Sequence, residues 1–220
     1  MTTVVVVAKE CLPGRVKTRL CPPLTRVHAA LVAQAALDDT LTAVRGAGGT
    51  PLLYFDGARP PSSASGFDVL SQCCGPFDER LAHLFDVCVG PTVLIGMDTP
   101  QVDPALLRRL AAPWPDDVEA WFGEAADGGF WLLALREPTG AHVRGVEMSL
   151  DTTGAEVRSR LDEAGLRTCS VGELRDVDTV ADAIDVAAAA PHTRFARQLR
   201  RSLADLGVTT VGPITAGVPS

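Results

Sequence analysis

The sequence predicts an α/β fold in which a parallel sheet is covered by helices on both faces. Short apolar runs alternate with stretches of helical periodicity through the first half of the chain, and this alternation is typical of a parallel sheet. The first apolar run, residues 3–8, is β-branched and uninterrupted, as expected for a buried strand. Hydrophobic residues make up 46% of the 220 residues, which is enough for a sizeable core.

The first half of the chain is predicted to contain four strands and three helices. After the strand at residues 3–8, a helix has Thr25 as its N-cap, apolar residues at helical spacing and a glycine stop. The last helix of this half has Asp103 as its N-cap and Pro104 at the first helical position, where proline is favoured. The other strands are predicted at residues 50–56, 67–72 and 91–96, and the other helix at residues 76–90.

The second half of the chain has a different pattern. Residues 117–135 contain two strand-like runs close together, around a Gly-Gly turn or bulge. A helix is predicted to begin at Thr153, with Glu156 three residues later completing a capping box. The remaining elements are a strand at residues 166–171, a helix capped by Thr179 and a final helix at residues 192–206.

The length of the chain fits one large domain, or a domain with an appendage. The final helix has Phe195, Leu199 and Leu203 on one side and four arginines around the rest, and we interpret its basic face as solvated. We therefore expect one domain at residues 1–190, with residues 191–220 as a C-terminal helix and tail appended to it.

Composition excludes several classes of protein. The net charge of −7 argues against nucleic acid as the main partner. We expect no membrane span, because no apolar run approaches about 20 residues, and no signal peptide, because a basic leader is missing. The six cysteines form no CxxC pair, and free thiols in a reducing cytoplasm explain them best. The sequence therefore predicts a cytoplasmic protein.

The loop after the first strand, residues 8–24, has the character of a phosphate-binding loop. Its Lys9 and Lys17 are the chain's only two lysines, against 18 arginines. A compact ammonium binds phosphate as a point charge, although Arg-rich codon usage would also leave few lysines. The loop is not a P-loop, because Val16 stands where that motif has glycine before lysine.

Asp98 lies just past the end of the strand at residues 91–96, at the edge of the sheet where ligands collect in open α/β folds. It could simply cap the next turn. Beside a cationic phosphate loop, a metal ligand is the better interpretation, because Mg²⁺ is commonly held by one or two carboxylates together with phosphate oxygens.

Three further positions carry carboxylates near predicted turns. Asp127 precedes two glycines that allow a close approach of a ligand, although a β-bulge or hairpin explains the pattern equally well. Asp151 precedes a helix, where it could be a cap or a second metal ligand. Asp176 and Asp178 also precede a helix, and we interpret them as mainly structural.

Other catalytic arrangements find no support in the sequence. There is no GxSxG elbow and no GxGxxG after the first strand. The four histidines are scattered and lack metal-ligand spacing: His28, His83, His142 and His192.

Several segments together resemble one family. The opening segment "AKECLPGRVKTRLCPPLT" is similar to the opening of bacterial glycosyltransferase-like proteins that are often described as arsenosugar-biosynthesis glycosyltransferases, within the GT-A nucleotide-diphospho-sugar transferase superfamily. Later segments resemble further blocks of that family in the same order: "FDERLAHLF", "IGMDTPQVDPALL", "ADGGFWLLAL" and "LRDVDTVADA". The resemblance covers residues 4–185.

The resemblance implies a Rossmann-like three-layer α/β/α fold with a mixed, mostly parallel sheet, and a nucleotide site at the C-terminal ends of the strands. It implies that Asp98 binds Mg²⁺ or Mn²⁺ and that Asp127 faces the donor sugar or the acceptor. Phe130 and Trp131 stand where the family often has paired tyrosines. The residues implied to contact the nucleotide phosphates are Lys9, Gly14, Arg15, Lys17 and Arg19.

Three functions are consistent with these patterns. The first is a metal-dependent glycosyltransferase that moves a sugar from a nucleotide-sugar donor to a small acceptor. Asp127 would be its carboxylate base if the reaction inverts the anomeric centre, and Gly128, Gly129 and Phe130 would bind substrate. The second is a nucleotidylyltransferase that joins an NTP to a phosphorylated small molecule and releases pyrophosphate. The third is a nucleotide-binding module without catalysis.

Overall fold

The computed structural model describes residues 1–208, and the last residues of the predicted tail, 209–220, lie outside the described residues. One sheet of seven strands has the order β3-β2-β1-β4-β6-β5-β7. Its strands are β1 (Thr3–Lys9), β2 (Thr50–Asp56), β3 (Asp68–Ser71), β4 (Thr92–Gly96), β5 (Ala120–Glu124), β6 (Phe130–Leu135) and β7 (Thr168–Ser170). All neighbours are parallel except β6, which is antiparallel to both β4 and β5. The prediction of a mixed, mostly parallel sheet is confirmed.

The helices cover both faces of this sheet. They are α1 (Arg26–Arg45), α2 (Phe77–Val87), α3 (Pro104–Ala111), α4 (Thr153–Glu163), α5 (Val180–Ala189) and α6 (Arg194–Asp205). Successive side chains of a strand point to opposite faces. Val4 and Val6 of β1 accordingly share one core cluster with residues of α1 and α3, whereas Val5 and Val7 share another with residues of α2 and α4.

The final helix is attached to the body of the protein through a third core cluster. Phe195, Leu199 and Leu203 of α6 are buried there against Ala29 and Val32 of α1. The apolar side predicted from the sequence is thus the side that packs. The helix extends the layer formed by α1 on one face of the sheet.

Three of the four predicted helix caps are present, and the prediction of the fourth is wrong. The Thr25 side chain accepts a hydrogen bond from the main-chain N–H of His28, and Asp103 and Thr179 cap α3 and α5 in the same way. The capping box at Thr153 does not form, because Thr152 is the N-cap and makes no side-chain hydrogen bond. The Thr153 hydroxyl instead donates to the Glu147 carbonyl.

The structure can be compared with what the sequence predicts about membrane spans and cysteines. None of the helices within residues 1–208 combines the length and apolar character that a membrane crossing requires. All six cysteines are free thiols.

Candidate active site

A cleft of about 610 Å³ opens at the C-terminal ends of β1, β2 and β4. The antiparallel β6 contributes its first residues to the same cleft, and the segments before α4 and α5 close its other side. The carboxyl edge of the parallel strands is where open α/β sheets bind ligands. The position of the cleft therefore agrees with the site expected from the sequence.

The loop after β1 is shaped by one glycine and one buried valine. The N–H of Arg15 donates to the carbonyl of Leu12 (3.0 Å), and Gly14 between them has φ of +80°, as the third residue of a type II turn requires. Val16 is buried against Ala30 and Ala33 of α1. The buried Val16 side chain anchors the loop to α1, which explains why valine, and not the glycine of a P-loop, precedes Lys17.

Lys17 lies between two aspartates at the base of the cleft. Its Nζ is 2.8 Å from Asp98 Oδ2 and 3.0 Å from Asp178 Oδ1, and its side chain is only 11% exposed. Lys17 itself has φ of +45°, which is rare for a residue with a side chain. Burial opposes the charged form, yet the two carboxylates raise the pKa of Lys17 above its ordinary value. The ammonium is therefore a permanent, fixed cation.

Of the other residues expected to contact phosphate, some line the cleft and some do not. Lys9 lines the cleft at the end of β1. Arg19 also lines it, and its guanidinium is 3.1 Å from Asp178 Oδ2 with a side chain that is 73% exposed. Gly14 and the exposed Arg15 lie in the turn and are not part of the cleft wall. The structure thus brings three of these five positions to the cleft.

Asp98 follows β4 after one intervening residue, Met97, and its two oxygens differ in environment. Oδ2 is paired with Lys17. Oδ1 is buried and has no hydrogen-bond partner among the described residues. A buried acceptor without a partner costs free energy, so a further cation or donor at Oδ1 would remove an unfavourable feature of the site.

Three aspartates form an acidic cluster beside Lys17. Ligand atoms of Asp127, Asp176 and Asp178 lie within 4.8 Å of one another. Burial, together with the charges of Asp127 and Asp178, raises the pKa of Asp176 to about 6. Such an arrangement fits a divalent cation, because hard cations prefer carboxylate oxygens and would relieve the repulsion.

The interpretation of Asp176 and Asp178 as mainly structural missed their position in the cleft. The segment that carries them has no regular secondary structure, and its Val177 N–H donates to the Asp98 carbonyl at 3.3 Å. Val177 is buried, and the carboxylates of the aspartates on either side of it converge in the acidic cluster. The Asp-Val-Asp alternation in the sequence could have indicated this pairing.

The turn at Asp127 packs tightly against the segment before α4. Asp127 Oδ1 accepts a hydrogen bond from the N–H of Gly129 (2.9 Å). Gly128 has φ of +88°, and a Cβ there would collide with the main chain of Asp151. Gly129 and Phe130 line the cleft, whereas Gly128 is used for this close packing.

Asp151 is not brought into the acidic cluster. Its side chain is exposed, and its carbonyl covers Gly128. The ligand atoms that converge beside Lys17 belong to the late aspartates Asp176 and Asp178, with Asp127. The carboxylates that lie close enough together to hold a cation therefore come from other parts of the chain than residue 151.

A polar group that the sequence analysis did not identify lies at the β2 and β3 side of the cleft. Gln72 Nε2 donates to the carbonyls of Ala8 (3.1 Å) and Tyr54 (3.0 Å), and its Oε1 accepts from Arg80 at 2.6 Å. Arg80 is also 3.4 Å from Asp56 Oδ2. These side chains are fixed by one another and offer donors and an acceptor to a ligand.

Comparisons with known proteins identify a family and a shared fold. Residues 28–150 match the family described as "Uncharacterized protein conserved in bacteria (DUF2064)". No curated protein sequence matches the chain. Among solved structures, a protein from Desulfovibrio desulfuricans G20 assigned as a nucleotide-diphospho-sugar transferase superimposes with a TM-score of 0.80 at 20% identity, covering 94% of this chain and 96% of that protein.

Two further structures share the fold at greater distance. A nucleotidyl transferase from Methanothermobacter thermautotrophicus has a TM-score of 0.53 at 20% identity, covering 90% of this chain and 98% of its own. Glucosyl-3-phosphoglycerate synthase from Mycobacterium tuberculosis, in complex with Mn²⁺, UDP and glucosyl-3-phosphoglycerate, has a TM-score of 0.50 at 12% identity, with coverages of 96% and 82%. The GT-A nucleotide-diphospho-sugar transferase fold is thereby confirmed.

Proposed function

The chain belongs to the DUF2064 family of bacterial proteins and has the nucleotide-diphospho-sugar transferase fold, and we propose that it is a metal-dependent glycosyltransferase. It would move a sugar from a nucleotide-sugar donor to a small acceptor. The observation that carries the proposal is the contact of the loop lysine, Lys17, with both Asp98 and Asp178. The basic loop and the acidic groups meet at one point of the cleft.

This arrangement suits a diphosphate leaving group. The departing nucleoside diphosphate carries negative charge that develops in the transition state, and cations fixed beforehand stabilise it without reorganisation. Lys17 is such a cation, because two carboxylates hold its ammonium in place. Lys9 and the exposed Arg19 line the same cleft and add charge that can adjust to the ligand.

Mg²⁺ or Mn²⁺ fits the carboxylates beside Lys17. Asp98 would contribute the buried Oδ1 that has no partner within residues 1–208, and Asp178 would contribute from the acidic cluster with Asp176. When bound, the ion acts as a Lewis acid on the phosphate oxygens. This supports metal dependence, with Asp178 taking the place that the sequence analysis gave to Asp151.

Asp127 is our proposed general base for the acceptor hydroxyl. Its carboxylate lies at the exposed side of the acidic cluster, and the Gly129 N–H orients it through Oδ1. A second oxygen remains available to accept a proton. A carboxylate base is what an inverting transfer requires.

Nucleotidylyl transfer is the second candidate, because fixed cations beside a metal site serve attack at an α-phosphate as well. The fold is shared with the Methanothermobacter thermautotrophicus nucleotidyl transferase at a TM-score of 0.53. Such a reaction would use an NTP and a phosphorylated acceptor and would release pyrophosphate. Product analysis separates the two reactions.

The test incubates the protein and Mn²⁺ or Mg²⁺ first with UDP-, GDP- and CDP-sugars and a panel of acceptors, then with NTPs and sugar phosphates or phospholactate. Release of nucleoside diphosphate with transfer of the sugar is expected, and pyrophosphate release from the NTPs would contradict it. The Asp98→Asn variant should lose turnover. The matched control Asp68→Asn removes a charge from an exposed position of β3 outside the cleft and should not.

Absence of any turnover, together with nucleotide binding that is the same with and without metal, would favour a non-catalytic nucleotide-binding module. Unchanged nucleotide affinity in Asp98→Asn would contradict the metal assignment. Titration calorimetry of the wild-type protein and both variants measures these affinities directly.

A further inference from the structure

Part of the cleft wall is apolar and open to solvent. Leu150 is 42% exposed and lines the cleft, and Met148 lies beside it. Phe130, which follows the Asp127 turn, lines the same cleft and packs with Met148 against the core beneath α2 and α4. Phe130 and Met148 therefore continue the hydrophobic core into the cleft, and Leu150 adds an exposed apolar side chain to its lining.

The fold holds this apolar surface in place. The Thr153 hydroxyl donates to the Glu147 carbonyl (2.8 Å) and accepts from the Leu150 N–H (3.1 Å), so it ties both ends of the short loop that carries Met148 and Leu150. Within that loop Ser149 has φ of +68°. A side chain in this conformation is unfavourable and persists only where the surroundings fix it. The structure therefore fixes the main chain of the loop that carries the half-buried Met148 and the exposed Leu150.

The same loop is fastened to the turn that carries the proposed base. The Gly154 N–H donates to the Gly128 carbonyl at 2.8 Å, and the two segments are too close for a side chain at either glycine. Asp127 and Leu150 thus belong to one rigid unit of the cleft wall. Asp127 and the apolar side chains of Phe130, Met148 and Leu150 line the same cleft.

We propose that Phe130, Met148 and Leu150 bind the hydrocarbon or aromatic part of the acceptor, which is an alcohol whose hydroxyl reaches Asp127. The inference rests on the proposed glycosyl transfer and specifies its acceptor class. A sugar acceptor would require hydrogen-bonding side chains, which these three are not. A phosphorylated acceptor would require cationic side chains at this part of the wall, and these three supply none.

The chain offers a direct reporter of this surface, because it has three methionines, Met1, Met97 and Met148. Protein carrying ¹³C-methyl methionine is titrated with 1-butanol, 1-pentanol, 1-hexanol and 1-heptanol, and with glycerol as the polar control. The Met148 methyl resonance, assigned with a Met148→Leu variant, should shift with the alkanols while the exposed Met1 resonance does not. Affinity should rise about fourfold per added methylene. An affinity that does not depend on chain length, or glycerol binding equally well, overturns the inference.

Two substitutions and a nucleotide titration complete the test. Leu150→Ser should weaken 1-heptanol binding by about fivefold or more, while Val89→Ser, at an 88% exposed position outside the cleft, should not change it. UDP, GDP and CDP are titrated with Mn²⁺ in parallel. Nucleotide binding without a response of Met148 to 1-heptanol overturns this inference alone. Alkanol binding without binding of any nucleotide overturns the proposed function and the acceptor assignment with it.

Discussion

Replacing Lys17 by methionine removes the ammonium between Asp98 and Asp178 while keeping a side chain of similar length. Removing one partner of a buried ion pair costs about 3–5 kcal/mol, because the remaining charge is buried without compensation. The Lys17 side chain is 11% exposed, but those of Asp98 and Asp178 are each 32% exposed. Water therefore compensates part of the loss, and we expect the free energy of unfolding to fall by about 2–3 kcal/mol.

Urea titration and thermal unfolding of the Lys17→Met variant measure this loss. For a domain of this size, the melting temperature should fall by about 4–12 °C, at about 2–4 °C per kcal/mol. Arg19→Met is the matched control, because it removes another cation that contacts Asp178 from a side chain that is 73% exposed. That variant should lose only about 0–1 kcal/mol. A loss in Lys17→Met no larger than in Arg19→Met would refute the reasoning.

Three further predictions concern the acidic cluster and the turn beside it. Asp127→Asn should lower kcat by about 10²–10⁴ with a far smaller change in nucleotide affinity, and a loss confined to affinity would exclude it as the base. Burial and the neighbouring charges raise the pKa of Asp176 from 3.8 to about 6, so ionised Asp176 disfavours folding above about pH 6 and its protonation relieves that penalty as the pH falls towards 4. Asp176→Asn should therefore raise the free energy of unfolding near pH 7.5 but not near pH 4 in urea titrations, and a gain independent of pH would contradict this origin. Gly128→Ala should destabilise the fold by about 2 kcal/mol more than Gly145→Ala. Both glycines have positive φ, but a Cβ at Gly145 meets nothing within 4 Å, whereas a Cβ at Gly128 collides with Asp151. Equal losses of stability in the two variants would show that only the backbone conformation matters.

Local rules were sufficient to predict most of the fold. The β-branched run of β1 and the alternation that follows it predicted the parallel strands, because burial on both faces requires continuous apolar residues. Thr25, Asp103 and Thr179 are helix caps whose hydrogen bonds reach only two or three residues along the chain. Such contacts can be predicted from residues that are close together in the sequence.

The wrong prediction of a capping box concerns a residue whose hydrogen bonds depend on packing between segments that are distant in the sequence. Thr153 has the spacing of a capping box with Glu156, yet its hydroxyl binds the loop that precedes it, which packs against Gly128. A preference of local sequence is overridden here by the packing of two distant segments. No pattern within residues 146–156 indicates that packing.

From the sequence, Lys17 and Asp98 are expected to lie together, but Asp178 is not expected beside them. Lys17 and Asp98 follow adjacent parallel strands, so the fold class alone brings them to one edge of the sheet. Asp178 joins them from a segment 161 residues after Lys17, and only the three-dimensional path of the chain after β7 shows it. The Asp-Val-Asp alternation indicates that two carboxylates lie on one side of the segment, but it does not show which residues that side contacts.

The proposed function requires that the basic loop and the acidic groups bind one cation-bridged diphosphate. Anomalous diffraction from crystals grown with Mn²⁺ and the nucleoside diphosphate that binds in titrations tests it most directly. We expect a manganese peak in contact with Asp98 and Asp178, with the phosphates bound by both the metal and Lys17. Manganese at a distance from both aspartates, or phosphates that do not contact the loop at residues 9–19, would contradict it.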